Sequence, residues 1–456
     1  MAAASKIRAI ALDGPRRWLL LAAVVLVASC APHRELYPRL NSLAASGQYE
    51  EAVQYIEFEK EKYGERNDVL YNLDRGVFYH YAGKYKESND AFELAELRMD
   101  ELFTESISGN VAAFLSNDNT LPYGGEDFEQ VVVNMYRALN YVQLGDIDAA
   151  LVEARKVDNK LDYINRQYEP DKQNVYKEDA FARMLMGIFY EMAATRDDLN
   201  DAYISNRRAV AVYEKDFVPQ YQTRAPDLLK ANLLTTAAFM GNEEFSQALQ
   251  KYPATQSRGL GEKRELGQLY FVHFAGRGPE KYESSINAIM PDGNLLRIAF
   301  PGYFRNTYLI TGAQVRIDGS VEARLEPGAP IGEMAIKNLD NRKGRIAAKA
   351  IARATTKYIA NRLLQRKAQD EAGPIGGLIA WVAGNVYVAI SEQADLRSWQ
   401  TLPDKILIGR VLLKPGSHHV VVEFVTSGGG VVASKDLGQV EIQPGTTRFI
   451  VLHSNT

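Results

Sequence analysis

Cys30 is the only cysteine of this 456-residue chain, and the residues before it prescribe what its sulfur meets. The bases Lys6, Arg8, Arg16 and Arg17 come first, Trp18 to Val27 run uncharged, and the small residues Ala28 and Ser29 follow. Bases, a short apolar run and small residues in that order are the three regions of a secretory signal, with the cut between Ser29 and Cys30. The ten residues of the run are too few to span a bilayer. A cysteine at a new chain end offers a nucleophilic sulfur, which a serine would not supply. The alternative is a core cysteine behind an uncleaved helix.

The other reactive side chains form no recognisable set. His33, His80, His273, His418, His419 and His453 contain no HExxH pair. His418 and His419 point to opposite faces of a strand, so they share one metal only with help from elsewhere; ordinary strand residues is the plainer reading. Ser-x-x-Lys, Gly-x-Ser-x-Gly and Gly-x-x-x-x-Gly-Lys are missing, which removes the motif-based case for penicillin-binding enzymes, serine esterases and P-loop nucleotidases. Gly276-Arg277-Gly278-Pro279 reads as a turn. No catalytic residue, cofactor or metal is expected. Carboxylates are plentiful, and a glycosidase needs only two of them about 5 to 9 Å apart. A lytic enzyme acting on peptidoglycan therefore stays open.

The setting of Cys30, Leu26-Val27-Ala28-Ser29-Cys30, resembles the lipobox of bacterial lipoproteins. That resemblance implies a diacylglyceryl group on the thiol and a protein held in membrane lipid by two or three acyl chains. At roughly 0.8 kcal/mol per buried methylene, several chains hold permanently where one does not. Ala31 stands where an aspartate would resemble the inner-membrane retention signal, so the expected address is the periplasmic face of the outer membrane. Residues 1–29 hold four bases and one acid; without them the chain has a net charge near −7, which argues against a nucleic-acid partner. Lacking a cysteine pair, it must be stabilised by packing alone. The 427 residues that remain exceed what one hydrophobic core accommodates, about 250 to 300.

These residues must be positioned by something, and the first two hundred beyond a short tether are helical by pattern. Gly47-Gln48-Tyr49-Glu50-Glu51-Ala52 is echoed 36 residues later by Gly83-Lys84-Tyr85-Lys86-Glu87-Ser88, with Gly76 and Tyr79 before it and Phe92 and Ala95 after. These positions resemble the small and aromatic sites of tetratricopeptide (TPR) repeats, where small residues let two helices cross closely. A third unit reads Ala138, Tyr141, Gly145, Ile147, Ala150 and Ala154. A looser fourth surrounds Gly187, Tyr190, Ala202 and Ala209, and a fifth pair lies near 241–249. Gly83 and Gly145 are 62 residues apart where two repeats take about 68, so one unit is altered. Residues 106–125 are rich in turn formers and read as a long loop, either functional or a solvated insertion.

From residue 266 the period becomes alternating. Strands are expected at 269–275, 295–300, 313–317 and 320–325, with Asp318-Gly319 as a tight hairpin turn. Others are expected at 406–413, 418–425, 439–442 and 448–452, and spacing of this kind suggests a small sandwich. The phrases around Pro415-Gly416 and Pro444-Gly445 are similar to those of PEGA-type extracytoplasmic β-domains. Between the two blocks lies a helical insert. Its first half carries Arg345, Lys349, Arg353 and Lys357 on one sector, a candidate basic surface for peptidoglycan or anionic lipid, or a face paired to acids of the repeats. Its second half, 373–391, runs nineteen residues without a charge. Gly376, Ala380 and Gly384 give it one small face, which favours a packed hairpin over membrane contact or a span.

Tyr123-Gly124 with Glu129, the run Asn134-Met135-Tyr136-Arg137-Ala138-Leu139-Asn140-Tyr141, and Asp395-Leu396-Arg397-Ser398-Trp399-Gln400-Thr401-Leu402-Pro403 resemble an uncharacterised proteobacterial lipoprotein family with TPR-like helices and a C-terminal β-domain. The resemblance implies a cell-envelope protein and assigns no catalytic residue. The expected fold is α+β and multidomain: signal peptide 1–29, tether 30–39, TPR-like α-solenoid 40–255, a β-sandwich-like domain from 266–335 and 400–456, and an inserted helical hairpin 336–395. The expected function is a lipid-anchored scaffold with a protein partner in its helical groove, acting in envelope or cell-wall assembly. The alternatives are the lytic enzyme and a membrane-surface or secretion accessory working through the basic helix.

Overall fold

Three glycines shape the first half of the molecule. Gly47, Gly83 and Gly145 have φ of 71°, 75° and 79°, a region open to glycine without a steric penalty. Each ends a helix with the same turn: in the second, Gly83 N–H donates to the His80 carbonyl (3.1 Å) and Lys84 N–H to that of Tyr79 (2.9 Å). The computed structural model describes residues 32–107, 118–167 and 178–456. In it these turns join α1 (Tyr37–Ala45) to α2 (Tyr49–Phe58), α3 (Asp68–Tyr81) to α4 (Tyr85–Ile107), and α5 (Asp127–Gln143) to α6 (Ile147–Gln167). In the fourth pair, α7 (Ala180–Ala193) and α8 (Arg196–Val212), Ala194 takes the left-handed position (φ 60°) and Thr195 caps α8 in a box with Asp198. α9 (Asp227–Met240) and α10 (Asn242–Lys251) complete a TPR-like array.

Small residues set how closely the helices of a pair cross. A Cβ on Gly76 would lie 2.5 Å from the Phe92 ring, and one on Gly187 would lie 2.3 Å from Asn206 Oδ1. Ser29, Cys30 and the signal lie outside the described residues, as do positions 108–117 of the expected loop. Of the rest of that loop, 106–107 continue α4 and Tyr123 is buried, its N–H bonded to the Arg66 carbonyl (2.8 Å). The expected tether needs correction. Residues 32–36 form a 3₁₀ turn leading into α1, and Leu36, Tyr37 and Leu40 are core residues because their apolar bulk packs under the first pair.

The C-terminal half holds ten strands in three sheets. β1 (Gly267–Ala275) lies between β10 (Thr447–Ser454), to which it is parallel, and β7 (Lys405–Leu413), which also pairs with β6 (Glu326–Ala329). A second sheet runs β5 (Ser320–Arg324), β4 (Gly312–Ile317), β8 (Gly416–Val425), β9 (Val431–Ile442). Asp318 and Gly319 make the β4–β5 turn with φ of 50° and 88°. Leu269 and Phe271 of β1 pack on Val315, Val420 and Val422 across this sandwich. The alternate residues Tyr270, Val272 and Phe274 belong to the core of the helices. Both faces of β1 are thus buried, and one continuous core joins the helical array to the sheet.

The third sheet is a ribbon of two strands, β2 (Glu280–Ile289) and β3 (Leu295–Phe304). β2 escapes a reading by alternation because it is polar and pairs only with β3. The ribbon flanks α11 (Ile331–Ser391), which reverses at Gly373 (φ 67°) and Pro374 into two limbs. Asn361 Nδ2 donates to the Gly384 carbonyl (3.1 Å) across them, and a Cβ on Gly384 would meet Asn361 at 3.0 Å.

Candidate functional site

The surface on which a solenoid would receive a partner is occupied by the chain itself. Tyr136 of α5 stacks on Phe274 of β1 (4.9 Å, 10°), and Tyr81 of α3 stacks on His453 of β10 (4.1 Å). His80 meets Phe274 edge-on, Phe189 packs on Phe449, and Gln143 Nε2 donates to the Phe449 carbonyl (2.9 Å). Burial lowers the His80 pKa to about 4 and that of His453 to about 3, so both rings are neutral at pH 7. The expectation of a partner in the helical groove is corrected on this point. β1 is apolar on both faces, and the inner sides of α3, α5 and α7 supply the cover that its second face requires.

The segment 395–404 closes this junction. Glu129 Oε1 accepts the Trp399 N–H (2.8 Å), while Oε2 accepts the Tyr123 hydroxyl (2.6 Å) and the Glu126 N–H (3.0 Å). Asp74 receives Thr401 (2.7 Å), Tyr63 (2.8 Å) and Tyr37 (3.2 Å). Burial, reinforced by the Glu126 charge, raises the Glu129 pKa to about 7, and burial raises that of Asp74 to about 6. A carboxyl of that kind suits general-acid chemistry. Here both are inaccessible, and every carboxylate oxygen takes a donor from the chain, so what they do is hold the junction. Burial also opposes charge on Glu126, but Arg342 and Lys281 (2.5 Å) outweigh it and hold its pKa at about 2.

The run 134–141 serves the same end from two sides of α5. Tyr136 and Asn140 face inward, Asn140 bonding Ser88 and Asn89 (both 2.8 Å). Arg137 faces α4 and α6, paired to Glu96 (2.5 Å) and Glu153 (3.3 Å), with Asn134 bridging both acids. Burial works against the Glu96 charge, yet Lys160 (2.8 Å) and Lys156 bring its pKa down to about 2. These groups floor a cleft of about 530 Å³ whose walls include Leu97 and Tyr163, exposed apolar residues of α4 and α6. His418 and His419 pair with different acids, Asp318 (2.7 Å) and Asp436 (2.9 Å). Among the described residues no group of three or more His, Cys, Asp or Glu is placed to hold a metal.

The candidate basic surface is not an open one. Arg353 is 4 % exposed and pairs with Glu392 (3.2 Å), which also takes Lys357 (3.3 Å). Burial lowers the Lys357 pKa against the pull of Glu392. Arg345 and Lys349 are half-buried. The stripe reads as solvent-facing on a helical wheel, but Glu392, just beyond the second limb, takes Arg353 and Lys357, and the Lys357 ammonium lies over the Tyr387 ring (5.6 Å). What composition alone leaves unmarked is on the other limb, where Ile375, Leu378, Ile379, Val382 and Val386 are all exposed. Their helical spacing within an uncharged run is the sequence signal for that face.

No family model matches this chain, and no curated protein does. Among solved structures it is similar to two crystal structures of the nearly identical TPR-like repeats of a Podosopora anserina protein named as a kinesin light chain, one of them a single-substitution variant of the other. Each match is 14 % identical with a TM-score of 0.32, spans 49 % of this chain, and covers 93 % and 94 % of theirs. At that score the pairing of helices rests on the turns and close crossings described above.

Proposed function

We propose that this chain is a lipid-anchored, periplasm-facing scaffold that holds a protein partner in cell-envelope or cell-wall assembly. The observation that carries the reading is the filled inner face: one continuous core fixes the helices, so the surfaces that remain are rigid and outward. The partner then docks outside the array, in the cleft between α4 and α6 bounded by Leu97, Tyr163, Lys156 and Lys160. Its apolar walls and charged floor suit an anchor side chain inside a polar rim.

Deleting residues 40–250 would strip the second face of β1 as well, so surface substitutions give the cleaner test. Affinity capture from detergent-solubilised membranes should recover the partner with the unaltered chain and lose it at least tenfold with Leu97→Glu/Tyr163→Glu. Equal recovery from both would remove the cleft from the proposal.

A further inference from the structure

We infer that the second limb of α11 lies along a phospholipid bilayer through its bare apolar face; this rests on the reading that Cys30 is acylated. Ile375, Leu378 and Ile379 are 73, 61 and 63 % exposed, and Val382 and Val386 continue the same side of the helix, while the Tyr387 ring turns toward Lys357 of the first limb. The face carries no charge over eleven residue steps, about 16 Å at 1.5 Å each. It is held outward, because the opposite side is committed: Gly384 packs on Asn361, Asn385 Oδ1 accepts the Leu295 N–H (2.6 Å), and Trp381 lies beside Gly293. Contiguous apolar surface rimmed by polar residues marks an interaction site.

The chain outside the structure says where the membrane would be. Its first described residues sit at the root of the arm: His33 and Arg34 border a cavity of about 310 Å³ with Glu283, Arg297 and Arg397, and Arg297 Nε donates to the Glu392 carbonyl (3.0 Å). Cys30 precedes Pro32 by two residues, a reach of about 7 Å. With residues 32–39 folded into the body, no slack separates an acylated Cys30 from that root, so the bilayer surface and the C-terminal end of the second limb, which runs back from the tip to the root, are neighbours. Arg366 and Lys367 are exposed on the first limb, Lys367 within 3.9 Å of Glu371, and an exposed base there suits anionic headgroups, while Arg362 is paired to Asp292 (3.0 Å). Asp370 and Glu371 occupy the tip and oppose tip-first entry. The limb therefore lies flat with its apolar side down, as amphipathic interfacial helices do. Among the described residues no helix is long and apolar enough to cross a membrane.

Once Cys30 is acylated, Leu378→Cys carries the only free thiol. An environment-sensitive dye on it, in protein reconstituted into phosphatidylethanolamine–phosphatidylglycerol (3:1) vesicles, should be quenched by doxyl-labelled lipid at least threefold more than the same dye on Ser417→Cys. Equal quenching of both by aqueous iodide, with none by doxyl lipid, overturns the inference. Protection from iodide without lipid quenching, together with crosslinks between Leu378→Cys chains, overturns it in favour of a second copy. The mass of the N-terminal peptide reports acylation separately. An acylated Cys30 with an unquenched dye sinks the arm contact alone. Should Cys30 prove unmodified, vesicles are added to a Cys30→Ser background; quenching there upholds the arm contact without the anchor, and its absence sinks both.

Discussion

The inner side of the helical array and the outer side of the arm are made of the same kinds of residue, aromatic and branched aliphatic. On the array they are sealed: Tyr136, Phe92 and His80 are covered by Phe274 and Trp399 of the same chain. On the arm Leu378 and Ile379 face outward and stay largely bare. The difference lies in the partner each face has within the molecule. β1 needs cover on two sides and takes the helices, whereas the second limb has already used its small side on the first limb.

That contrast can be broken at several strengths. Trp399→Ala should have the largest effect, about 3 to 5 kcal/mol of lost stability, since it opens a cavity between Phe92, Tyr136 and the Glu129 clasp. Guanidinium melts followed by circular dichroism should keep a single transition; helices and sheets melting apart would contradict the continuous core.

Next comes pH. Glu129 has a folded pKa of about 7 against an ordinary 4.5, so folding takes up a proton between those values. The stability it contributes is complete below about 4.5 and falls by about 3 kcal/mol as pH rises through 7. Glu129→Gln should flatten that slope in melts between pH 5 and 8, though from a lower starting point because an amide accepts fewer of the three donors. Glu126, held at about 2 by its cations, acts in the opposite window: its contribution is present above about 4.5 and is lost on acidification below it. The smallest effect is on the arm, where Ile379→Ser should shift stability by no more than about 0.5 kcal/mol. A larger loss in the same melts would mean that the face is covered from within the chain.

The elements of the fold were legible where local chemistry decides them. Gly47, Gly83 and Gly145 announce their turns because only glycine adopts positive φ cheaply, and Asp318-Gly319 announces the β4–β5 hairpin. The fourth helix pair was harder to place because Ala194, no natural candidate for a left-handed cap, takes the glycine's role. Gly187 belongs to that unit by spacing but works inside α7, against Asn206. β2 has no apolar alternation that would mark it as a strand. The residues singled out by family likeness at 123–141 and 395–403 were visible as a set, but nothing in their order revealed that they meet.

What the sequence determined by itself is everything set over a few residues: the signal-like run before Cys30, the hairpin turns, the strand periods, and an uncharged helix with one small face. What only the tertiary structure decided depends on groups far apart in the chain. The parallel pairing of β1 with β10 joins Val272 to Val451, Arg353 is buried by an ion pair with Glu392, and the inner face of the helices is closed by a sheet that begins at residue 267. The physical reason is that burial is a property of both surfaces in a contact, and periodicity describes one of them at a time.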